Sequence, residues 1–180
     1  SIVLDSSTEA QRFTDATTLD DWVYDNTIDY PLVHSGETTT YTTSTGTTAT
    51  VPVVANVSHS GWMDKTFKAT LSDPTASVKV FSLDGNVSQD VQFDTVSGDV
   101  KPGQKVGTVT FYQHNEVIAQ QDLVPAENCP APNPIEGIGI WWNRLFAGFS
   151  DEKTQADSSV VNSTPLIYGS NATINTTKEG

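Results

Sequence analysis

The chain has 180 residues, 36% of them apolar and only 17% charged, so it can form one ordinary globular core plus appendages. Its net charge of −13 and its lack of a basic cluster exclude non-specific nucleic-acid binding, because few cations are available to neutralise phosphates. A single cysteine, Cys129, excludes an internal disulfide and a cysteine-rich metal site.

The first predicted elements are a short strand at residues 2–4 and a helix from about Phe13 to Tyr24. The helix has one apolar face, made by Phe13, Ala16, Leu19 and Val23. A lone strand and helix cannot bury a core by themselves. We therefore expect this pair to belong to a larger domain upstream or to dock on the module downstream.

A β pattern follows. Nine of the sixteen residues from 35 to 50 are threonine, which indicates an exposed strand or a polar loop. Short apolar runs then predict strands at 51–57, 67–71, 78–83, 91–96, 106–112 and 117–124. His114 and Asn115 separate the last two runs and predict a tight hairpin turn. With no helix between the runs, we predict a mainly β fold: a small antiparallel β-sandwich at 29–127, with a short N-terminal strand-helix remnant and a C-terminal amphipathic helix.

The C-terminal helix is predicted at 135–149, after a proline-rich spacer at 128–134 that should hold it away from the β-domain. Glu136, Asn143 and Arg144 lie opposite its apolar side. Fifteen residues span about 22 Å, too short for a hydrocarbon core of about 30 Å, so the helix is predicted to lie on a membrane. The predicted membrane-binding residues, here called the apolar stripe, are Ile135, Ile138, Trp141, Trp142, Leu145, Phe146 and Phe149.

Two alternatives remain for this helix: it packs on its own domain, or it docks on a partner subunit. Residues 1–134 carry 6 basic and 17 acidic side chains, so membrane binding should depend on apolar burial and only weakly on salt. The polar tail at 150–180 is expected to be disordered.

The sequence shows no convincing set of nucleophile, base and oxyanion site. Ser150 and Lys153 have a Ser-x-x-Lys spacing, but they lie in the polar tail and no Lys-Thr-Gly or Ser-x-Asn accompanies them. His34, His59 and His114 lack metal-ligand spacing and are expected on the surface. We predict no catalytic residue, no metal and no cofactor.

The run from Asp99 to Glu127, with Pro-Gly-Gln-Lys-Val-Gly at 102–107 and Asp-Leu-Val at 122–124, resembles the C-terminal domain of bacterial D-alanyl-D-alanine carboxypeptidases, the low-molecular-mass penicillin-binding proteins. Residues 1–28 resemble the end of that family's transpeptidase-like catalytic domain. Trp-Trp-Asn-Arg-Leu-Phe at 141–146 is similar to its amphipathic membrane anchor.

This resemblance implies a non-catalytic region that anchors and positions a serine peptidase of peptidoglycan maturation. The expected location is the outer face of the bacterial cytoplasmic membrane, with the upstream catalytic domain and cell-wall or divisome proteins as partners. The family's serine, lysine and Lys-Thr-Gly motifs are not in this sequence, so it should be inactive alone. The alternative function is an Ig-like bacterial surface or adhesion module without an enzymatic parent.

Overall fold

The computed structural model, which describes residues 6–42, 46–150, 155–168 and 173–174, consists of antiparallel β-sheets and two helices. The helices and strands are α1 (Glu9–Asp25), β1 (Thr27–Pro31), β2 (Thr38–Thr42), β3 (Thr48–Pro52), β4 (Ala55–Ser58), β5 (Thr66–Leu71), β6 (Ser77–Phe81), β7 (Val87–Phe93), β8 (Gly107–Gln113), β9 (Glu116–Pro125), α2 (Pro134–Ser150), β10 (Ser159–Val160), β11 (Ile167–Tyr168) and β12 (Thr173–Ile174). The strand predicted at residues 2–4 lies outside the described residues.

A six-stranded antiparallel sheet, in the order β10-β4-β5-β9-β8-β7, curves until it is nearly closed. Smaller sheets pair β1 with β6, β2 with β3 and β11 with β12. Phe67, Phe111 and Leu123 from the large sheet share one core with Tyr30 and Val80 from the β1–β6 sheet. The predicted mainly β, antiparallel fold is therefore confirmed, with the β1–β6 sheet packing against the large one.

The hairpin between β8 and β9 has the predicted tight turn. His114 and Asn115 have φ angles of 52° and 63°, the left-handed conformation that a two-residue turn between twisted strands requires. The strand prediction at 51–57 is wrong in one respect, because this run forms two strands. The Val53 amide donates to the Glu37 carbonyl at 2.8 Å, whereas the Val54 amide donates to Ala69 in β5, so the chain changes partner between them.

Helix α1 forms as predicted, but its apolar face is not covered by the described part of the chain. Thr8 caps its N-terminus, and Trp22 contacts Phe81 edge-on with ring centroids 5.4 Å apart. Phe13, Leu19 and Val23 remain exposed, and no helix residue is buried. Among the described residues, α1 therefore docks on the downstream module only at its C-terminal end. The other expectation, that α1 belongs to a larger upstream domain, stays a prediction.

The described part of the tail corrects a prediction, while residues 151–154, 169–172 and 175–180 lie outside the described residues. Residues 155–168 follow the surface of the β-domain instead of being disordered, and β10 pairs with the edge of β4. Asn162 is only 6% exposed. Backbone and amide hydrogen bonds to residues distant in sequence hold this segment, and such bonds leave no local pattern of apolar residues.

Candidate membrane-facing helix

Local capping explains where α2 begins. The amide of Glu136 donates to Asn133 Oδ1, and the amide of Asn133 donates to Glu136 Oε2, each at 2.9 Å. This reciprocal pair is a capping box, which satisfies amides that the first helical turn leaves free. Pro134 occupies the first helical position, where the missing amide hydrogen costs nothing.

The apolar stripe of α2 faces solvent. The exposed fraction of its described side chains ranges from 42% at Leu145 to 83% at Ile135. Trp142 stacks on Phe146 with centroids 5.9 Å apart and meets Trp141 edge-on at 5.1 Å, so the three rings form one aromatic surface. The exposed members are Ile135, Ile138, Trp141, Trp142, Leu145 and Phe146. Phe149 lies on the helix, but its side chain is outside the described part of the structure.

The opposite face of α2 contacts the β-domain. Arg144 Nη2 donates to the carbonyl of Ser60 at 2.5 Å and to that of Trp62 at 3.1 Å, and Ala147 is buried. Arg144 and the centre of the apolar stripe lie on opposite sides of the helix at 100° per residue. The helix therefore packs on its own domain, as one alternative held, but through the face opposite to its apolar stripe.

The proline-rich spacer does not hold α2 away from the domain, which corrects the prediction. Val100 and Cys129 exchange two backbone hydrogen bonds, of 2.9 and 3.1 Å. The amide of Ala131 donates to Asp99 Oδ1 at 2.9 Å. Composition alone predicted an extended linker, whereas these bonds make the spacer an additional edge segment of the domain.

The turn at residues 58–62, between β4 and β5, is where α2 docks. Its His59 is fully buried, contrary to the expected surface position. The ring accepts a hydrogen bond from the Gly61 amide at Nδ1, at 3.1 Å, so Nε2 carries the proton and donates to the Gly98 carbonyl at 2.8 Å. Both ring nitrogens of His59 are thus hydrogen-bonded, one to the turn and one to the loop that contains Gly98, which explains how a histidine can be buried at this position.

Trp62 completes the docking region. It is nearly buried, and its Nε1 atom donates to the Pro130 carbonyl at 3.0 Å. Lys65 Nζ lies 3.1 Å from the centroid of the Trp62 ring, a cation–π contact. Spacer, turn and helix are therefore joined through one tryptophan.

No group of three or more histidine, cysteine or acidic side chains that could hold a metal occurs among the residues that the structure describes. Within the same residues, no helix is long and apolar enough to cross a membrane. Burial raises the pKa of the Cys129 thiol, so this group is a poor nucleophile. Lys153, of the Ser-x-x-Lys spacing, lies outside the described residues.

The chain matches no protein-family model and no curated protein sequence. The candidate site therefore depends on the geometry of α2 and its docking region.

Proposed function

We propose that α2 attaches this protein peripherally to a lipid surface, with the apolar stripe at the boundary between headgroups and acyl chains. The observation that carries the proposal is that six large apolar side chains remain exposed on a helix whose other face is already docked. Contiguous exposed apolar surface of this kind marks a contact with a membrane or another protein. The adjacent Trp141 and Trp142 favour lipid, since tryptophan is enriched at the membrane interface.

The available binding energy suits reversible attachment. Burying a half-exposed aromatic or aliphatic side chain gains about 1 kcal/mol, so the six described stripe residues supply roughly 6 kcal/mol before the entropy of association is subtracted. The body of the protein carries a net negative charge, so anionic lipid adds no attraction. Binding should therefore persist at high salt and should not require anionic lipid.

We further propose that this attachment serves a serine-type D-Ala-D-Ala carboxypeptidase of peptidoglycan maturation, of which this chain is the non-catalytic C-terminal region. The support is the resemblance of residues 99–127 and 141–146 to that family, together with the order of β-domain and amphipathic helix. On this proposal the chain lies at the outer face of the cytoplasmic membrane. Its role is to set the position of an upstream active site relative to membrane and cell wall.

Co-sedimentation with phosphatidylcholine liposomes tests the lipid proposal. We expect binding that survives high salt and that is lost in Trp142→Ala/Phe146→Ala. The matched control is Phe13→Ala/Tyr24→Ala, which removes two aromatic side chains of α1 that are more exposed than the stripe pair and should leave binding intact. Failure of the unmodified protein to bind, or equal loss in both variants, would contradict the proposal.

Enzymatic assays test the assignment to the carboxypeptidase family. The chain alone should release no D-Ala from a peptidoglycan pentapeptide and should not be acylated by a labelled penicillin. Joined to an upstream domain with Ser-x-x-Lys and Lys-Thr-Gly motifs, it should raise turnover of membrane-bound substrate more than turnover of a soluble pentapeptide. Equal turnover of both substrates, with and without this chain, would contradict the positioning role.

A further inference from the structure

The chain on both sides of α2 is held by the same 58–62 turn that docks the helix. Downstream of α2, the amide of Ser58 donates to Ser158 Oγ, and Gln155 Nε2 donates to Ser58 Oγ, each at 2.9 Å. Upstream, the turn holds the spacer through the hydrogen bond between Trp62 and Pro130 already described. The helix is thus bracketed by two attached segments.

The downstream segment, residues 155–168, is here called the strap, and it is fastened along its length. The amides of Val161 and Asn162 both donate to the Val54 carbonyl at 2.9 Å. Asn162 Nδ2 donates to the carbonyl of Leu32 at 3.0 Å and to Gln89 Oε1 at 2.8 Å. Asn162, which follows β10, therefore links the β10–β4 edge of the nearly closed sheet to β7 at its other edge.

The turn itself has little freedom to move. A methyl group at Gly61 would lie 2.8 Å from His59 Cε1 and 3.0 Å from Pro132 Cδ, so the turn, its buried histidine and the spacer are in close contact. Interiors packed this closely transmit displacements instead of absorbing them.

We propose that the 58–62 turn and the strap hold α2 in one orientation, so that lipid attachment fixes the angle between the β-domain and the membrane. A helix on a flexible linker would attach the domain without orienting it. The strap is therefore a positioning element, whereas the apolar stripe supplies the contact with lipid. This inference rests on the proposed lipid attachment, but the fixed orientation of α2 is testable without lipid.

The test measures the distance between spin labels at Asn143→Cys on α2 and Glu116→Cys on the β8–β9 hairpin, both of which are exposed. Cys129→Ala removes the native thiol. Distances are recorded by double electron–electron resonance, first in solution and then on phosphatidylcholine vesicles. We expect one narrow distance distribution in both conditions, and loss of the narrow peak in Arg144→Ala/Gln155→Ala.

The control is Lys79→Ala, which breaks an exposed ion pair with Asp29 on the β1–β6 sheet and should keep the narrow peak. Circular dichroism verifies that each variant is folded. A broad distribution in the unmodified protein, or an unchanged narrow peak in Arg144→Ala/Gln155→Ala, would overturn the inference. A narrow peak in solution combined with no vesicle binding would refute lipid attachment while leaving the fixed orientation standing.

Discussion

Replacing Asn162 with alanine should destabilise the whole β-domain, although the residue lies in a polar tail. Its Oδ1 accepts from the His34 amide at 2.8 Å, and its Nδ2 donates to the Leu32 carbonyl and to Gln89 Oε1. Alanine removes these three side-chain hydrogen bonds from a site that is 6% exposed. At about 1 kcal/mol for each lost bond, plus 1–3 kcal/mol for leaving a buried backbone group unsatisfied, the cost is about 4–6 kcal/mol.

Urea unfolding followed by circular dichroism measures this cost. For a domain of this size, a loss of about 4–6 kcal/mol corresponds to a fall in melting temperature of roughly 10–20 °C. The matched control is Asn143→Ala, which removes an exposed asparagine from α2 and should change stability by less than about 0.5 kcal/mol. A loss below about 1 kcal/mol in Asn162→Ala would show that the strap does not stabilise the domain.

Three further predictions concern residues that are buried or half-buried. Burial raises the pKa of Tyr30 from 10.0 to about 12, so the folded state keeps the phenol protonated above pH 10. The free energy of unfolding should therefore fall by roughly 2–3 kcal/mol between pH 10 and 12. Unfolding measured against pH should show a flatter fall in Tyr30→Phe. Burial lowers the pKa of His34 below 6.5, so as pH falls the unfolded state takes up the proton first. The free energy of unfolding should therefore decrease as pH drops below about 7. An equally steep decrease in His34→Gln would contradict this. Gly61→Ala should cost about 1–3 kcal/mol in urea unfolding, because its methyl group would overlap His59 and Pro132; an unchanged midpoint would show that the turn adapts freely.

Local sequence patterns predicted the elements whose structure depends on neighbours in the chain. The alternation of apolar residues identified the strands, and Asn115 identified the hairpin turn, because both depend on local backbone geometry. The apolar stripe of α2 was predicted for the same reason, because it follows from helical periodicity. The exposure of the stripe was expected. The docking of the opposite face was not, because the two carbonyls that accept from Arg144 lie more than 80 residues away in the sequence.

The missed features share a non-local cause. The strap is held by amides and by Asn162, whose partners lie as far as 130 residues away in the sequence. His59 is buried because Gly61 and Gly98 supply its two hydrogen-bond partners. Proline in the spacer indicates an extended chain, but extension also suits a segment that pairs with Val100 and receives the Trp62 hydrogen bond. Periodicity and composition carry no information about such partners.

Lipid contact by the apolar stripe can be measured by depth-dependent quenching of tryptophan fluorescence by brominated lipids. In Trp22→Phe, emission comes from Trp141, Trp142 and the nearly buried Trp62. We expect strong quenching by bromines near the headgroup end of the acyl chain and weak quenching by bromines near the bilayer centre. Removing both stripe tryptophans as Trp141→Phe/Trp142→Phe should abolish the effect, since Trp62 faces the protein. Absence of quenching at every bromine depth in Trp22→Phe would contradict membrane attachment through α2.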